Sequence, residues 1–367
     1  MLKKNNEIPI DNIHEGRFYF LGVHYNRIFW TNHEIVFTYD GQIKELVRAK
    51  KLERHKVFAG KYLYLEYFDL QVERRILNLE SLQIQRIDNV EIFSGTKDFF
   101  IGIDQRTKHT LALTAQNFNK LWIKEGMSFF SHYKTFTFSR DFEMLALYNN
   151  DTGEEVWKVS DFSTFNYETR YFIDEPPEQH KATVHRIVGV YNNVVWITLN
   201  SGRLLGYSMN DGKLLYNITF PNFYYPGYKL QKLSQSGFWG GYTQLDEQQG
   251  MLFGLLRDEY WEIDLNDPEN TFILYSLKKS AKYFDLTADG NMFQPFTNNE
   301  IFFYMLYPKT NALGVFDRNL KEIVWAAPVE KSSRGFPSIR QMEYQNERLY
   351  LLTDNSKIII YEKKLSK

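Results

Sequence analysis

The chain has 367 residues, no cysteine and a formal net charge of −1. The lack of cysteine excludes disulfides, thiolate catalysis and cysteine-ligated zinc, and the near-zero charge gives no global pull toward nucleic acid or an anionic membrane. Aromatics are abundant, with 30 Phe, 25 Tyr and 7 Trp, a composition that suits pleated, half-buried surfaces.

The chain opens on "MLKKNNEIPIDNIHEG" (1–16), a basic start with no apolar signal-peptide core behind it. The expectation is a cytoplasmic protein, or a periplasmic or surface-exposed one if a leader has been removed. No apolar run reaches membrane-spanning length, so membrane insertion is not expected. Within this stretch "NEIPID" (6–11) is a short strand candidate. Pro9 there suits an outermost strand, where a missing N–H breaks no ladder.

A repeat follows. Its clearest copy is "HRIVGVYNNVVWITLNSGRLLGYSMNDGKLLYNITF" (185–220), in which Asn-Asn, Asn-Ser-Gly and Asn-Asp-Gly separate short apolar runs. Such residues tolerate the positive φ of tight hairpins, so the segment reads as four antiparallel strands, A to D. The same frame fits 16–49, 56–88, 90–125, 127–160, 242–277 and 292–328, while 340–364 supplies A, B and C only. Four-strand repeats of about 35–45 residues mark a β-propeller. The expectation is therefore an all-β, single-domain propeller of eight blades, or seven if the second repeat is misread. The N-terminal strand completes the last blade and removes an exposed edge. No segment holds the apolar spacing of a capped helix.

The C-turn-D hairpins carry a resemblance. "YNNDTGEEVW" (148–157) is similar to the quinoprotein (PQQ-like) propeller repeat, with partial matches at "YSMNDGKLLY" (207–216), "FDRNLKEIVW" (316–325) and "LTAQNFNKLW" (113–122). Trp122, Trp157 and Trp325 occupy the matching D-strand position, where large aromatics pack one blade against the next. The family's dehydrogenases bind the quinone with Ca²⁺, often beside a cysteine pair. Here there is no cysteine and no compact calcium loop, so no cofactor is expected.

Other chemistry is equally faint. There is no G-x-S-x-G, H-E-x-x-H or P-loop, and the eight histidines are scattered without metal-ligand spacing. The basic run "KELVRAKKLERHK" (44–56) reads as a solvated strand end and connecting loop, so no nucleic-acid partner is expected.

Three connections from one D strand to the next A strand are long: 161–184, 221–241 and 278–291. Long loops in a compact domain are usually functional, and these are rich in aromatics, which disordered segments avoid. By strand polarity they open to one end. They carry Phe165, Tyr167, Tyr171, Phe172, Phe223, Tyr224, Tyr225, Tyr228, Phe238, Trp239, Tyr283 and Phe284, with the acids Asp174, Glu175 and Glu178. These residues are the candidate partner-binding set. The expected function is a non-catalytic scaffold, monomeric by itself, that binds a protein partner through these inserts as an assembly factor or an inhibitor or immunity-type protein. The alternative is an enzyme, either a carbohydrate-active propeller or a divergent PQQ-dependent dehydrogenase.

Overall fold

The structure is a computed structural model. It describes residues 2–9, 19–32, 34–48, 51–68, 72–125, 130–133, 136–141, 144–169, 176, 178–219, 243–256, 259–276, 295–305, 312–329, 339–353 and 357–363. Among these residues every regular element is a strand except one 3₁₀ turn, Ser163–Phe165.

The first strand, β1 (Leu2–Pro9), belongs to the last blade. Blade one is β2 (Tyr19–His24), β3 (Arg27–Thr31), β4 (Ile35–Tyr39) and β5 (Ile43–Arg48). Blade two is β6 (Lys51–Ala59), β7 (Tyr62–Phe68), β8 (Val72–Asn78) and β9 (Ile84–Arg86). Blade three is β10 (Val90–Gly95), β11 (Phe99–Asp104), β12 (Thr110–Thr114) and β13 (Lys120–Lys124). Blade four is β14 (Phe130–Tyr133), β15 (Phe136–Asp141), β16 (Met144–Asn149) and β17 (Glu155–Val159). A short ribbon follows, β18 (Tyr167–Thr169) with β19 (Glu178–His180). Blade five is β20 (Val184–Tyr191), β21 (Val194–Leu199), β22 (Arg203–Ser208) and β23 (Leu214–Thr219). Blade six is β24 (Gln244–Asp246), β25 (Met251–Leu256), β26 (Glu259–Asp264) and β27 (Ile273–Ser276). The seventh sheet is β28 (Glu300–Met305), β29 (Ala312–Asp317) and β30 (Glu322–Pro328). The last is β31 (Ile339–Gln345), β32 (Arg348–Thr353) and β33 (Lys357–Lys363), with β1 beside β33.

Among the described residues seven four-stranded antiparallel sheets and one three-stranded sheet thus form the blades of a β-propeller. The chain divides into two compact units, Met1–Asp88 with Leu255–Trp261 and Leu274–Lys367, and Asn89–Gly254 with Glu262–Ile273.

The expected closure is present. β1 pairs antiparallel with β33 from Leu2↔Lys363 to Pro9↔Lys357, and it is the outermost strand of its sheet. It starts at Leu2, four residues earlier than "NEIPID" implied, and both Leu2 and Ile8 are buried. Pro9 is the last residue of the strand and is registered opposite Lys357.

The structure refines three details of the repeat. In the seventh repeat the described residues show three strands, preceded by an isolated bridge, Phe296↔Ile301. The second repeat is a blade, as expected, but begins at Lys51 and not at residue 56. The basic run 44–56 begins as the expected strand end, in β5 to Arg48, but its part from Lys51 onward is β6 and not a connecting loop. Register shifts at Leu52/Arg54 and Arg54/Val57 interrupt β6, and such bulges hid the strand from a period-two reading.

Consecutive residues on a strand point to opposite faces, and each blade here buries both. In blade one Trp30 and Phe37 face Tyr350, Leu352 and Ile358 of the last blade. Phe29 and Val36, one residue away, face Leu63 and Leu65 of blade two. The hairpins between A and B use paired positive φ at Tyr25–Asn26, Asn192–Asn193 and Asn346–Glu347, which matches the right-handed twist of the strands.

Candidate functional site

The insert 161–184 leaves β17 and enters β20, and its two ends are built into the protein. The Asp161 carboxylate accepts the Ser163 N–H at 2.8 Å and starts the 3₁₀ turn. Hydrogen bonds from the Ser163 hydroxyl and N–H hold the Asp161 carboxyl below the usual carboxylate range. The turn drives Phe162 and Phe165 inward, where they join Ala182, Val184, Trp157 and Tyr207 in one core. Phe162 meets the Tyr207 ring edge-on at 6.4 Å.

Amide side chains clip the returning strand. Asn166 Oδ1 accepts the Ala182 N–H at 2.9 Å. Asn200, in the B–C turn of blade five, accepts the Thr183 N–H at 2.8 Å and donates to the Lys181 carbonyl at 3.0 Å. Between these clips β18 and β19 form the ribbon, in register Tyr167↔His180, Glu168↔Gln179 and Thr169↔Glu178. The Tyr167 and His180 rings stack at 5.2 Å, and Glu178 Oε2 lies 3.7 Å from His180 Nε2. The Gln179 amide donates to the Glu168 carboxylate. Glu168, Glu178 and Gln179 are exposed, and Tyr167 and His180 are half-buried.

The sequence-derived site divides accordingly. Phe165 is buried in the core, so its ring anchors the insert. Tyr167 stands on the ribbon. Tyr171, Phe172, Asp174, Glu175, Phe223, Tyr224, Tyr225, Tyr228, Phe238, Trp239, Tyr283 and Phe284 lie outside the described residues. Glu178, expected beside the aromatics, stands on the ribbon, and sequence reasoning missed Glu168, Gln179 and His180 as parts of it. Three-residue strands are too short to show a period of two, and the cross-strand pairing was their only signal.

Among the described residues no group of three or more His, Asp or Glu side chains could hold a metal ion, and no helix is long and apolar enough to cross a membrane. No protein-family model and no curated protein sequence matches the chain.

Solved structures do match. BamB from Moraxella catarrhalis aligns with a TM-score of 0.57 at 11% identity, over 99% of this chain and 100% of its own. The computationally designed Ika8 protein gives 0.58 at 10% identity, over 95% and 97%. Sqt1 of Saccharomyces cerevisiae gives 0.54 at 9% identity, over 95% and 95%. The shared property is the fold. A designed protein and two natural ones of such different sequence show that this fold alone assigns no activity.

Proposed function

We propose that the protein is a non-catalytic propeller scaffold with quinoprotein-type repeats. It binds a protein partner through its D-to-A inserts, as an assembly factor or an inhibitor. The insert 161–184 carries this reading. A connection that only had to link β17 to β20 would need few residues, yet this one is anchored by two phenylalanines and two asparagine clips. Such an investment holds a small surface ribbon in place, and positioned loops on a rigid scaffold are where binding residues concentrate. The repeat type is supported by the tryptophans of D strands, which dock beneath the next blade's C–D turn.

The test is affinity capture by the full chain, followed by cross-linking and mass spectrometry of the complex. Cross-links from a stoichiometric partner should fall on 161–184, 221–241 and 278–291. Cross-links confined to the A–B turns, or no partner from any compartment of the native host, would overturn the assignment.

A further inference from the structure

Arg203 opens β22 beside the B–C turn whose Asn200 clips the insert 161–184. Its guanidinium is held by three side chains. It lies 5.8 Å over the Phe165 ring, and its Nη1 donates to Asn217 Oδ1 at 3.1 Å and to Thr219 Oγ1 at 3.2 Å. The register of β22 with β23 sets Arg203 opposite Thr219 and Leu205 opposite Asn217, so all four share one face of the blade. Leu205 and Phe165 belong to one core, which turns that face toward the insert.

The charge of Arg203 is unanswered. Arg27, Arg48, Arg74, Arg75, Arg86 and Arg348 each meet a carboxylate. Among the described residues the groups that hold Arg203 are all neutral. Asp161, at the foot of the same insert, is turned onto the Ser163 N–H. What the patch presents is donors. Nη1 is occupied, which leaves the Nε and Nη2 protons of the planar group as a fork. With Oδ1 on Arg203, Asn217 offers its amide N–H groups, and the Thr219 oxygen, already an acceptor, keeps its own proton to give. Asn217 and Thr219 are exposed and Arg203 is half-buried. A guanidinium fixed before binding loses little entropy when it recognises an anion.

We propose that Arg203 anchors a carboxylate of the partner protein, an aspartate or glutamate side chain that takes the fork side-on, with Asn217 and Thr219 as supporting donors. One positive charge among neutral donors matches a monoanion better than a phosphate dianion. Leu215, 48% exposed two residues before Asn217, sets apolar surface beside the site, so the carboxylate has an aliphatic neighbour. The proposal rests on the protein-binding reading above and supplies the chemistry of one contact within it.

The probe is a trifluoroacetyl-capped Leu-Asp-Leu amide, titrated with the full chain and followed by fluorine NMR. Two further peptides carry asparagine or phosphoserine at the centre. Saturable binding of the aspartyl peptide is expected, about tenfold or more tighter than the asparaginyl one and no weaker than the phosphoserine one, because a charge-assisted fork is at stake. Arg203→Gln should weaken it about tenfold or more, and Arg203→Lys, which keeps charge without the fork, about fivefold. Asn217→Ala should weaken it about threefold with an unchanged melting temperature. No saturable binding, equal binding of the aspartyl and asparaginyl peptides, tighter binding of the phosphoserine peptide, or indifference to Arg203→Gln would each overturn the assignment. Should Arg203→Gln fail to fold, an Arg203→Lys chain that binds like the parent would overturn it instead. If the tripeptide fails while a captured partner still cross-links to the inserts, the scaffold reading stands and only this proposal falls.

Discussion

Trp157 lies directly beneath Gly212 of the following blade: a β-carbon on Gly212 would stand 2.8 Å from the indole Cδ2, and Trp157 Nε1 donates to the Met209 carbonyl at 2.9 Å. The same arrangement joins the preceding pair, with Trp122 beneath Gly153 and its indole N–H on the Asn150 carbonyl. One side chain therefore fills the inter-blade space, satisfies a buried donor and fixes the next turn. Gly212, at φ +67°, is required twice over, by backbone conformation and by the approach of the ring.

Trp157→Ala should cost about 3–5 kcal/mol, since it opens a cavity and strands the Met209 carbonyl. Gly212→Val should cost about 2–5 kcal/mol through left-handed strain and overpacking against the indole. Urea denaturation of each variant measures both. A wild-type midpoint for Gly212→Val would show that the ring does not lie under that turn.

The ring closure predicts a second effect. Ile8→Ala should destabilise by about 2–4 kcal/mol, because Ile8 is buried with Trp30, Tyr350 and Ile358. Removing residues 1–9 should lower the melting temperature further and promote association through the bared edge of β33. A truncated chain that melts with the parent and stays monodisperse by light scattering would refute the closure.

How much of this was legible beforehand depends on residue type. The tryptophan and glycine positions in blades three to five stood out in the sequence because they match a repeat. Blade seven builds the same joint from other residues. Lys321 takes the left-handed position at φ +57°, and its ammonium lies 5.0 Å and 5.3 Å from the Tyr260 and Tyr275 ring centroids. Leu82 and Phe118 also adopt positive φ in C–D turns. A non-glycine residue can hold this conformation at a cost of about 1–2 kcal/mol when packing compensates, so composition does not reveal it. The ribbon stayed hidden for a different reason, since its strands are paired across a gap of eight residues with no periodicity of their own.

Acid should weaken the fold through His24. Its ring lies 5.1 Å from that of Phe58 and 6.1 Å from that of Phe29, and burial pushes its pKa below the usual value, opposed by a hydrogen bond to the Leu21 backbone. A depressed folded pKa means that the unfolded chain takes up the proton first. The contribution is present above about 6.5 and is lost as pH falls through the folded value. Melting temperatures from pH 7.5 to 5 should decline for the parent, and His24→Gln should decline less. Parallel curves would remove His24 from the account.

Alkali should act through Tyr207, whose pKa burial raises to about 12. The neutral phenol is favoured in the folded state, so this contribution is complete below about 10 and is lost as pH rises toward 12. Tyr207→Phe should flatten the stability profile over that window. Denaturant midpoints at pH 9, 10 and 11 test it, and an unchanged slope counts against the assignment.

The binding surface gives the last prediction. Truncating a buried interface aromatic commonly costs about 2 kcal/mol or more of affinity, whereas exposed rim charges mostly alter the association rate. Tyr225 and Trp239 belong to the insert 221–241, which shares its residue types with 161–184. Tyr225→Ala or Trp239→Ala should therefore weaken the captured partner by about thirtyfold with an unchanged melting temperature. Glu347→Gly changes an exposed A–B turn at a position whose positive φ suits glycine, so it should leave both affinity and stability alone. Calorimetric titration of all three variants separates the outcomes. Loss of affinity in Glu347→Gly with none in the two aromatic variants would move the interface to the short turns and leave the inserts as packing elements.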